Sequence, residues 1–119
     1  MASIDEEISL QSKRISLAIL IALAGINAIW SLTSSFRGPI FASIIYAFVA
    51  YLCWSKNDFK AVIIIAMAGF IVHMYELIAR GVQSLYKLEV IFFFTNLILP
   101  VILAYAGVRA YNAERRKNI

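Results

Sequence analysis

Residues 15–33 read ISLAILIALAGINAIWSLT, a run without one charged side chain. Wound as an α-helix, a run of this length matches the hydrocarbon thickness of a bilayer. Three comparable stretches follow, at 39–55, 61–79 and 88–108. None alternates apolar with polar residues in the manner of a transmembrane barrel strand. The backbone of such segments satisfies itself in lipid only by coiling into helices. The expected fold is therefore all-α: a four-transmembrane-helix antiparallel bundle in a single domain of 119 residues.

The composition agrees, with 62% hydrophobic and 15% charged residues. A soluble domain of this size needs far more polar surface to cover its core. The single cysteine, Cys53, leaves no internal disulfide, and as a small apolar side chain it reads as core. His73 is the only histidine, so bis-histidine haem ligation within one chain is excluded. No cofactor and no metal is expected. The first span is preceded by Asp5, Glu6 and Glu7 beside Lys13 and Arg14. Its apolar run also exceeds a signal core, so it is read as an uncleaved span.

Four spans place both ends of the chain and the 56–60 turn on one side. That side collects Lys13, Arg14, Lys56, Lys60, Arg109, Arg115, Arg116 and Lys117, against Arg37, Arg80 and Lys87 on the other. The excess predicts cytoplasmic termini. Ser3–Glu6 fits a capping box, and Ile4, Ile8 and Ile15 share a face, which predicts a short interfacial N-terminal helix. Turns are expected at Arg37-Gly38-Pro39, at Asn57-Asp58 and after Arg80-Gly81. Such short connections make consecutive helices antiparallel neighbours. Trp30, Phe36, Tyr51, Trp54, Tyr86 and Tyr111 lie near span ends, where aromatic rings anchor at the interface. The basic tail 109–119 reads as an anchor to anionic headgroups, and nothing in it supports nucleic-acid binding.

Polar residues inside the spans are the candidate site. Helical spacing puts Val62, Ala66, Gly69, His73, Glu76 and Arg80 on one stripe, with Ile64, Phe70, Ile71, Met74 and Ile78 opposite. Counting from span midpoints places Asn27, His73 and Asn96 at nearly one depth, roughly 3–5 Å outside the bilayer centre. Glu76 lies further out, and Tyr46 near the centre. Pro100 removes the donor that the Asn96 carbonyl would otherwise receive. His73, Glu76, Asn27, Asn96, Arg80 and Tyr46 are thus candidates for binding a ligand, ion or proton. The plainer readings are interhelical hydrogen bonds for the asparagines and an i, i+4 ion pair for Glu76 and Arg80.

No recognisable catalytic set is present, and a catalytic role is not expected. The expected function is a non-catalytic accessory subunit of a larger membrane complex, such as a membrane oxidoreductase. Its partners are the lipid bilayer and other membrane subunits or further copies of itself. The alternative is a small homo-oligomeric transporter or channel built on the polar layer. An enzyme acting on lipid or quinone has thinner support, since one histidine, one glutamate and one arginine are little equipment.

Overall fold

A computed structural model describes residues 4–33, 38–80 and 87–117. The described residues form four helices: α1 (Ile4–Thr33), α2 (Gly38–Lys56), α3 (Phe59–Arg80) and α4 (Lys87–Lys117). Three of them contain stretches long and apolar enough to cross a membrane: Glu6–Leu32, Phe59–Ala79 and Val90–Arg116. The apolar part of α2, Ile40–Lys56, is shorter. The capping box at Ser3 and the turns at Arg37 and Gly81 fall outside the described residues.

The architecture is organised around one seam. Buried positions on α1 are Ser9, Ser12, Ser16, Leu20, Leu23, Asn27 and Trp30, each three or four residues after the last. On α4, Phe93, Asn96, Pro100, Leu103, Gly107 and Ala110 repeat in alternating steps of three and four. Such spacing keeps one edge of each helix turned to its neighbour. Two hydrogen bonds give the register. Ser9 Oγ donates to Glu114 Oε1 at 2.8 Å, and Asn27 Nδ2 donates to Asn96 Oδ1 at 2.7 Å. From Ser9 to Asn27 is an advance of eighteen residues, five turns of helix, and from Glu114 to Asn96 the same number back. The two helices therefore run antiparallel along their length, with the first turns of α1 beside the last turns of α4.

This seam corrects one expectation. The segment before residue 15 is not a separate interfacial helix: α1 runs unbroken for 30 residues from Ile4. Ser9 and Ser12 are buried, so its inward edge is serine rather than isoleucine, and Ile4 and Ile15 are exposed. Hydroxyl-bearing and small side chains let the backbones approach. The first segment thus packs within the bundle, and Lys13 Nζ donates to Trp54 O of α2 at 3.0 Å. Likewise α4 continues through the basic tail to Lys117 instead of ending near 108.

The remaining packing is uneven. The helix α1 packs closely on α2 as well as α4, and α3 packs closely on α4. Although consecutive, α2 and α3 touch far less. At their turn, Asn57 adopts a left-handed φ of 51°. Asp58 then caps α3, its Oδ1 accepting from Ala61 N at 3.2 Å. Among alanines spaced four residues apart, Ala106 and Ala110 are buried, whereas Ala18 and Ala22 are exposed. Trp30 is also not an interfacial anchor. It is buried with Phe93 and Leu97, and stacks on Phe92 with ring centres 6.1 Å apart. Phe70 and Met74, on the side of α3 opposite the His73 stripe, pack against this same cluster.

Candidate functional site

The asparagines form the most complete polar arrangement in the spans. Asn27 is 1% exposed and Asn96 is fully buried. Besides bonding each other, each amide donates back to its own helix: Asn27 Nδ2 to Leu23 O at 2.8 Å and Asn96 Nδ2 to Phe92 O at 2.8 Å. The i−4 bonds hold both side chains in one rotamer, which aims Asn96 Oδ1 at its partner. Leu20 and Leu23 lie below the pair on α1, and Trp30 and Phe93 lie above it. An amide left unpaired among such neighbours is costly, and the pairing removes that cost.

His73 is half-buried, and its Nδ1 lies 2.8 Å from Gly69 O. At that distance the ring donates to its own helix. The imidazole edge meets the Phe93 ring, with centroids 5.6 Å apart. The phenol of Tyr46 crosses from α2 to α3 and α4. A Cβ built on Gly69 would sit 2.5 Å from Tyr46 Oη and 3.8 Å from Pro100 Cγ. Only a glycine leaves room for the hydroxyl at that point. Ser43 Oγ, one turn earlier on α2, donates to Ala24 O of α1 at 2.7 Å.

The expected polar groups thus divide into separate contacts. Asn27 and Asn96 join α1 to α4. Tyr46 meets Gly69 beside Pro100, joining α2 to α3 and α4. His73 turns onto Gly69 and Phe93. Glu76 is half-buried and has no hydrogen-bond partner among the described residues. The side chain of Arg80, its expected ion-pair partner, lies outside the described residues.

The buried serines escaped sequence reading. Ser9 bonds Glu114, while the hydroxyls of Ser12 and Ser16 are buried without a hydrogen-bond partner among the described residues. Their three-and-four spacing was the available signal, hidden by the charges between them. Among the described residues no group of His, Cys, Asp and Glu is arranged to hold a metal.

The fold and these contacts define an all-helical protein with three helices long and apolar enough to span a membrane. Comparison with protein-family models, curated proteins and solved structures finds no match.

Proposed function

We propose that the chain crosses the membrane four times with cytoplasmic termini and serves as a non-catalytic accessory subunit of a larger membrane complex, such as a membrane oxidoreductase. One observation carries this reading: the two asparagines and His73 are hydrogen-bonded within the chain rather than left open to a ligand. Asn27 and Asn96 bond each other and their own helices, and His73 bonds Gly69. Such contacts hold helices in register. Meanwhile α2 offers Phe41, Ile44, Phe48 and Trp54 outward, and α3 offers Ile64, Met67, Ile71 and Tyr75. These faces suit lipid or a neighbouring subunit equally well. Native purification in mild detergent tests the reading, with co-purifying chains identified by mass spectrometry. A defined set of membrane partners is expected. A stable, monodisperse protein that recovers none would overturn it.

A second reading rests on Glu76, a half-buried carboxylate with no partner among the described residues. A homo-oligomeric transporter would use Glu76 and His73 as its coupling groups. Proteoliposome flux that Glu76→Gln and His73→Ala both abolish would support it. Flux indifferent to both changes removes it.

A further inference from the structure

At the end of the bundle where the termini emerge, the α2–α3 turn and the last turns of α4 enclose an open groove of about 730 Å³. It is lined by Lys56, Asn57, Asp58, Phe59, Lys60, Tyr111, Glu114 and Arg115. Three of these are cations and two are acids. The acids are already engaged. Asp58 Oδ1 accepts the backbone N–H of Ala61, and Glu114 Oε1 accepts the hydroxyl of Ser9. The cations remain open to the outside: Lys56, Lys60 and Arg115 are all exposed. Lys60 Nζ lies 5.8 Å above the Tyr111 ring, which steadies the ammonium at the wall of the groove.

The position of the groove says what kind of anion it meets. Trp54, 67% exposed, and Tyr51 stand on the outer face of α2 within two turns of Lys56. Exposed rings of this type settle at the level of lipid headgroups. A groove with three open cations at that level faces phosphates rather than bulk water. We propose that it binds the phosphodiester headgroup of an anionic phospholipid, with Lys56, Lys60 and Arg115 as its ligands. The site is distinct from a general attraction of the basic tail, because Arg109 and Arg116 do not line it. It does not depend on the accessory-subunit reading.

The test is lipid retention by purified protein in delipidating detergent, read by native mass spectrometry. Phosphatidylglycerol, phosphatidylcholine and inorganic phosphate are added in separate arms. Two variants carry the same loss of charge: Lys56→Gln/Lys60→Gln/Arg115→Gln in the groove and Arg14→Gln/Arg109→Gln/Arg116→Gln outside it. The wild type is expected to retain phosphatidylglycerol over phosphatidylcholine. The groove variant is expected to lose at least about tenfold in apparent affinity, given the usual contribution of each basic residue near a charged surface, while the outer variant changes less than about threefold. Equal losses in both variants, or equal retention of the two lipids, would overturn the proposal. Inorganic phosphate that binds as tightly as the lipid would overturn the lipid assignment. A second measurement needs no variant: anionic lipid with brominated chains, at trace level in phosphatidylcholine nanodiscs, should quench Trp54 beyond its mole fraction. Quenching in proportion to mole fraction counts against the site.

Discussion

At the residue scale, two contacts decide how the spans meet. The Asn27–Asn96 pair lies within a wholly buried stretch of the seam. Replacing either by leucine removes the bond between the helices, and Asn27→Leu leaves the buried Asn96 Oδ1 without its donor, a loss of about 1–3 kcal/mol. Replacing both removes the stranded group as well. The double variant is therefore expected to be less destabilised than the two single variants together, with a coupling of about 0.6–2 kcal/mol. Reversible denaturation in bicelles reads that coupling, and additive losses would deny that the bond joins the helices. Gly69 makes the second contact. In Gly69→Ala the new methyl meets Tyr46 Oη at 2.5 Å, while the next atom of that ring is 3.7 Å away. Over-packing of this kind costs about 1–3 kcal/mol. Tyr46→Phe removes the clashing oxygen and leaves ordinary van der Waals contact. Gly69→Ala is expected to destabilise the native protein, and to do so much less in a Tyr46→Phe background.

At the element scale, the seam between α1 and α4 changes character along its length. Near the start of α1 and the end of α4 the buried positions are Ser9, Ser12 and Ser16 on one helix and Ala110 and Ala113 on the other. Toward the opposite end it carries Trp30, Phe93 and Leu97. Small residues admit close backbones and large ones hold them apart. Gly107 serves the same economy of space against α3, since a Cβ there would meet Val62 and Ile63 side chains at 3.1 Å. Ser12→Ala and Ser16→Ala remove buried hydroxyls that have no partner among the described residues. Each is expected to be neutral or to stabilise by up to about 1 kcal/mol, whereas Ser16→Leu should open the seam and lower the melting temperature. A thermal melt in detergent separates the two outcomes, and equal damage from alanine and leucine would refute the packing account. The seam also marks what hydropathy conveys. Long uncharged runs announced the helices, because lipid leaves the backbone no other solution. The start of α1 was obscured because its buried edge is built from serines set among Glu6, Glu7, Lys13 and Arg14. Trp30 was read as an anchor because nearness to a span's end says nothing of which face a ring occupies. Residues 22–26 and 66–70 share a run of alanine, apolar residue and glycine, yet their glycines are packed differently. A Cβ on Gly25 meets nothing within 4 Å, and one on Gly69 meets Tyr46. Depth, by contrast, was legible for the asparagines, since counting along two helices of known rise places residues at a level whatever their facing.

At the scale of the whole molecule, the bond between Ser9 and Glu114 constrains the path through the bilayer. Those residues stand near opposite ends of the chain yet lie 2.8 Å apart across the seam. An odd number of crossings would separate them by the thickness of the membrane. Three helices are long and apolar enough to cross, and the proposed four-span path assigns the fourth crossing to α2. Its apolar stretch Ile40–Lys56 has 17 residues, about 26 Å of helix against a core of about 30 Å. Thinning of the bilayer around it, with Lys56 reaching toward the headgroups, accommodates a shortfall of that size. Under the proposed four-span reading, the basic excess beside the start of α1 and the end of α4 predicts that both ends face the cytoplasm. Single cysteines at exposed Glu7 and exposed Asn112, in a background with Cys53→Ala, are expected to resist a membrane-impermeant maleimide in intact cells. Both should react once the membrane is opened. Labelling of both in intact cells would reverse the orientation while leaving the bundle untouched. Labelling of one alone would mean that α2 does not cross and that the seam, as drawn by Ser9 and Glu114, does not form in the membrane.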